Sequence, residues 1–196
     1  MIFRPALPLL SDADDLHAGH GASGKNARTN TAKDVMSGAF LSDFFADLFE
    51  GDDLSSLSED ACMAILDTLT AALVADGYPE LEEIEEFRAQ VELLPFIPDD
   101  RAFVQARIHQ TIATLHELDQ PQHVAYFTDV AAHIPTTPMK ERAFRMAVAV
   151  SHADFAITRN EHTLLHDMGT GFGIKPARVK DIIQDVRAQQ EDGLLF

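Results

Sequence analysis

Between Ser58 and Val186 the apolar residues of this chain recur every three or four positions, and nowhere do they alternate convincingly with the two-residue period of a half-buried strand. That period restricts the chain to helices packed on helices, because a helical stripe is buried by another element laid along it. Capping residues and prolines cut the pattern into segments. Ser58 is a good N-cap for a helix carrying Ile65, Leu66, Leu69 and Leu73, with Gly77 as its C-cap. The next opens at Pro79 and Glu80 and carries Leu81, Ile84, Phe87 and Val91, until Pro95 and Pro98 break it. Phe103, Ile108, Ile112, Leu115 and Leu118 mark another. Pro121 and Pro138, the latter at a first helical position, open two more, through Val124, Phe127, Val130 and Ile134 and then Phe144, Ala147 and Val150. Thr158-Arg159-Asn160-Glu161 is a capping box for a helix with Leu164, Leu165 and Met168. Pro176 starts the last, with Val179, Ile182, Ile183 and Val186. Upstream, Val35, Met36, Phe40, Phe44, Phe45, Leu48 and Phe49 form an aromatic stripe that ends at Gly51. The expectation is an all-α chain, a compact bundle of about seven or eight helices.

The polar, glycine-rich stretch around DADDLHAGHGASGKNARTN has almost nothing to bury, so residues 1–30 are expected to be a flexible tail. Residues 31–190 then form the helical domain and 191–196 a C-terminal tail. The 196 residues suit one such domain with a core. Thirty-two acidic against fifteen basic residues give a net charge of -17, which repels phosphate backbones and anionic lipid and favours cations or a basic protein surface. Nucleic acid and membrane are therefore not expected partners. No apolar run reaches the roughly 18 residues of a membrane span. MIFRPALPLL is interrupted by Pro5 and Pro8 and lacks a small-residue cleavage site, so no signal peptide is expected and the setting is cytoplasmic. Cys62, the single cysteine, lies in an apolar helical pattern and reads as a buried, inert thiol.

Two segments match when offset. ALVADGYPELEEIEEF and AVSHADFAITRNEHTLL each end an alanine- and valine-rich helix on an aspartate, Asp76 or Asp154. Each then makes a short turn and places a glutamate, Glu83 or Glu161, seven positions after the aspartate, in the first turn of the next helix. A helix-turn-helix unit used twice is the expectation. With GFGIKPARV following the second unit, the pattern resembles that of TerB-like domains over Ser58 to Val186. The chain departs from it at Phe155, where a glycine is expected, and at Tyr78-Pro79-Glu80, a turn without a Ser or Thr cap.

The resemblance implies a compact helical module of the tellurite-resistance and stress-response type, with a divalent cation, calcium or magnesium, held at the turn acids. Asp76, Glu83, Asp154 and Glu161 would be the ligands, with Glu80 and Glu82 as auxiliaries. Four converging carboxylates repel one another, so they either take up protons or recruit a hard cation through oxygen. A second reading stays open. Glu161 also stands where a capping box returns its acid, and carboxylates in a first turn complement the helix dipole.

Other motifs carry less. His162 and His166 have the spacing of a zinc pair, but the glutamate of a metalloprotease motif is missing, and two exposed histidines are expected. The run Glu80, Glu82, Glu83, Glu85 and Glu86 reads as a solvated helix face. Gly169-Thr170-Gly171-Phe172-Gly173 follows a helix, where a phosphate-binding fingerprint needs a strand, so it reads as a C-cap and turn. No nucleophile elbow is recognisable, and the chain is read as non-enzymatic. The alternative to the cation module is a metal-free adaptor, using the aromatic helix Phe40 to Phe49 and the apolar end Leu194 to Phe196.

Overall fold

The computed structural model describes residues 57–75, 77–94, 96–151 and 158–193, with side chains through residue 189. The aromatic stripe, residues 1–30, residues 194–196, Asp76 and Asp154 lie outside the described residues, and residues 191–193 of the expected C-terminal tail belong to the last helix. Seven helices follow one another: α1 (Glu59–Leu73), α2 (Leu81–Val91), α3 (Arg101–Glu117), α4 (Gln120–His133), α5 (Thr137–Ser151), α6 (Arg159–Gly171) and α7 (Pro176–Gly193). No strand occurs among the described residues, and the fold is all-α.

The helix starts follow from side chains that satisfy free backbone N–H groups. Ser58 Oγ accepts from the Ala61 N–H at 3.2 Å, and Asp100 Oδ1 accepts from Phe103 at 3.1 Å. Gln122 Oε1 reaches back to the Asp119 N–H at 2.8 Å, closing the start of α4. Pro176 opens α7, whereas Pro121 and Pro138 fall one residue inside α4 and α5, behind Gln120 and Thr137. Gly77 is not the C-cap of α1. That helix ends at Leu73 with Val74 as its cap, and Gly77 lies in the following turn with φ +142°, a region that side-chain-bearing residues rarely adopt.

Helix α1 is the axis of the bundle. Residues 61 to 72 are buried without interruption, as expected of a helix that is apolar all round. It packs most extensively against α5, then α3 and α4, while α7 lies on α5 and α6, and α2 on α3. Ile65, Leu66 and Leu69 of α1 meet a core that includes Ile112 of α3, Phe127 of α4, Phe144 and Met146 of α5, and Leu165 and Met168 of α6. Cys62 is buried in it, and burial pushes its thiol pKa up, away from nucleophilic chemistry.

Helix α4 packs most extensively on α6, and a glycine allows it. A Cβ on Gly171 would stand 2.6 Å from Phe127 Cβ and 2.9 Å from the Phe127 and Thr128 backbone. A Cβ on Gly169 would stand 2.5 Å from Val179 Cγ2 of α7. The same run then ends α6. The Gly173 N–H donates to Thr170 O at 3.0 Å, the Ile174 N–H donates to Gly169 O at 2.9 Å, and Gly173 takes φ +71°. This is the double hydrogen bond of a Schellman cap, with Ile174 buried as its apolar contact. The glycine-rich run is a helix end, as its position after a helix implied.

One buried polar cluster has no counterpart in the sequence reading. Asp67, in the middle of α1, accepts from Arg107 Nε at 2.8 Å and from Thr111 Oγ1 at 2.7 Å, both on α3. A second guanidinium nitrogen completes a two-pronged pair. Tyr126 of α4 lies beside them, its phenol pKa pushed up by burial first and by the Asp67 charge second. The sequence signal was an aspartate inside ACMAILDTLTAAL, the most apolar stretch of the chain.

Candidate functional site

The two duplicated units are α1–turn–α2 and α5–turn–α6. Their first helices pack directly on each other, but their second helices differ in setting. Helix α6 is embedded against α4, α5 and α7, while α2 is peripheral and packs chiefly on α3. Glu83 is consequently exposed and Glu161 buried.

Locally the two glutamates do the same thing. The Glu80 N–H donates to Glu83 Oε2 at 2.7 Å, and the Thr158 N–H donates to Glu161 Oε2 at 2.6 Å. In return the Glu161 N–H donates to Thr158 Oγ1 at 3.2 Å. Each carboxylate is the arm that caps its own helix, and the first unit achieves this with Glu80 standing where Ser or Thr is usual. Among the described residues no three His, Cys, Asp or Glu side chains come together as a metal-binding group.

The α1–α2 turn and the start of α6 border one cleft. Val74, Ala75, Gly77 and Tyr78 from the end of α1 and its turn form one wall, and Arg159, Asn160, Thr163 and Leu164 from the start of α6 form the opposite one. The end of α3 supplies Ile112, Leu115, His116 and Leu118, and Gln120 and His123 come from the start of α4. The volume is about 660 Å³, within the range of small-molecule sites. Its floor is apolar and its rim polar. The exposed Tyr78 ring meets His116 edge-on, with centroids 5.7 Å apart. The helix ends that build this cleft are each closed by their own caps, so it is a consequence of packing rather than of any contiguous motif.

Behind His123 lies a second feature that sequence reasoning missed. Its Nδ1 is 3.8 Å from Asp167 Oδ2 on α6, and that oxygen is buried without a hydrogen-bond partner among the described residues. Burial pushes the Asp167 carboxyl pKa up, with His123 and His166 opposing. His162 and His166 stack with centroids 4.6 Å apart, and His162 is exposed as expected. His166 is half-buried instead, and burial together with the His162 charge lowers its pKa while Asp167 opposes. His116 and His123 sit on successive helices, α3 and α4, and both line the cleft.

No helix among the described residues is long and apolar enough to cross a membrane. Comparison with protein-family models, with curated proteins and with solved structures found no match to this chain.

Proposed function

We propose that this chain is a non-enzymatic helical binding module whose working site is the cleft between the α1–α2 turn and the start of α6. The observation that carries the reading is the convergence of both duplicated units, with α3 and α4, on one cavity of about 660 Å³. An apolar floor with a few polar groups at its rim is the usual make-up of a small-ligand site. The fold also supplies a reporter. The chain has no tryptophan and two tyrosines, of which Tyr78 lines the cleft and Tyr126 is largely buried in the bundle. A ligand seated in the cleft is expected to change tyrosine emission and raise the melting temperature of the native chain, and Thr163→Phe, which places a bulky ring in the lining, is expected to abolish both. Ligands that bind Thr163→Phe as well as the native chain would refute the cleft as the site.

A second reading is the TerB-like one, with calcium or magnesium held at Asp76, Glu83, Asp154 and Glu161 in a stress-response protein. Its support is that the turn following Asp76 and the helix start bearing Glu161 border the same cleft. Against it, Glu83 and Glu161 already serve as capping arms. Melting metal-stripped protein with each ion decides the matter. A saturable rise in melting temperature, lost in Asp76→Asn with Asp154→Asn, is expected of the cation site. An unchanged melt refutes it. The metal-free adaptor built on Phe40 to Phe49 and Leu194 to Phe196 rests on residues outside those described.

A further inference from the structure

Among its described residues the lining of the cleft is poor in acids, Asp76 of the α1–α2 turn lying outside them. The sequence holds 32 acidic and 15 basic residues, yet the described lining contains no aspartate or glutamate and carries Arg159, His116 and His123. Several other arginines are engaged by acids: Arg88 by Glu85 and Glu92, Arg107 by Asp67, Arg145 by Asp185, Arg178 by Glu141. Arg159, exposed at the mouth of the cleft, has no such partner among the described residues. It is also the first residue of α6, where the helix dipole disfavours a cation. His123 faces Asp167, and Arg159 is the lining residue whose charge has no acidic partner among the described residues. Asn160 and Gln120 add neutral amides at the rim, and Leu115, Leu118 and Leu164 are among the apolar side chains of its walls. Distant surface acids weigh little against this, because exposed charges beyond the screening length of about 8 Å are largely screened in physiological salt.

Resting on the cleft as the working site, we infer that its ligand is a small amphipathic organic anion. A carboxylate pairs with the Arg159 guanidinium, and an apolar body lies along Leu115, Leu118 and Leu164. A guanidinium offers a carboxylate two parallel donors, which fixes the orientation of the ligand as well as its charge.

Calorimetric titration of the native chain with decanoate, decanol and acetate tests this, using Arg159→Gln and Thr163→Phe as variants and circular dichroism to show that both fold. Decanoate is expected to bind at least about ten-fold more tightly than decanol, as one charge-assisted contact provides. Acetate, without an apolar body, is expected to bind far more weakly than decanoate. Arg159→Gln should bring decanoate to the level of decanol, and Thr163→Phe should remove binding of both. If decanoate binding is lost in Thr163→Phe but unchanged in Arg159→Gln, or if decanol matches decanoate, the anion inference falls and the cleft stands. If decanoate does not bind while decanol does, in a manner Thr163→Phe abolishes, the result is the same. If neither binds, or both variants bind decanoate as the native chain does, the cleft reading falls with the inference.

Discussion

Glu161 is buried at the start of α6, yet its carboxylate already has a use: it accepts the N–H of Thr158, the residue that caps the helix. A capping arm needs a carbonyl-type oxygen at that distance but not a charge, and glutamine serves the same role in capping boxes. A metal ligand needs the charge. Glu161→Gln is therefore expected to keep stability within about 0.5 kcal/mol, and Glu161→Ala to lose on the order of 1 kcal/mol, as for other lost caps. Urea denaturation measures both. A Gln variant as damaged as the Ala variant would mean that the negative charge itself is needed, and would move the residue toward the cation reading. The same pair at Glu83, on an exposed face, is expected to show the same order with smaller differences.

Among the elements, α4, α6 and α7 owe their closeness to the absence of side chains at two positions. Gly171 faces the backbone of α4, which cannot step aside without moving the helix, whereas Gly169 faces the tip of Val179, which can rotate. Gly171→Ala is thus expected to cost about 2 kcal/mol or more, as overpacking against a fixed wall does, and Gly169→Ala less. Thermal melts of the two variants check the order, and an equal or reversed effect would refute the packing argument. Because α4 and α6 both line the cleft, with Gln120 and His123 and with Asn160, a forced separation at Gly171 should also weaken any ligand bound there.

For the molecule as a whole, the pairing of Asp67 with Arg107 and Thr111 ties the central helix α1 to α3, and Tyr126 extends the cluster to α4. Buried ion pairs seldom stabilise more than apolar residues of the same volume, but breaking one by removing a single partner is costly. Arg107→Met leaves the buried Asp67 carboxylate with Thr111 alone and is expected to cost on the order of 3 kcal/mol. Asp67→Leu combined with Arg107→Met is expected to recover most of that loss. Equilibrium unfolding of the native chain, the single variant and the double variant would reveal the difference. A double variant as unstable as Arg107→Met would show that the pair holds the register of α1 and not merely its own charges.

Most of the helical architecture was legible in the sequence, because helices are specified by local chemistry. Period, proline and cap lie within a few residues of one another, so Ser58, Thr158 with Glu161, and the glycine-rich end of α6 could be read directly. The end of α1 was misplaced at Gly77 because a turn glycine and a C-cap glycine look alike in one dimension. Partnership across the fold was not legible. Asp67 meets Arg107 forty positions away, His123 meets Asp167, and the wall at Gly77 and Tyr78 faces Arg159 only after α1, α3, α4 and α6 have packed. The acidic turns advertised themselves by repetition, and the two glutamates among them serve as caps. The cleft has no repeating signal at all, since its walls come from four helices whose mutual placement is decided by side-chain packing in the core, and that is settled only in three dimensions.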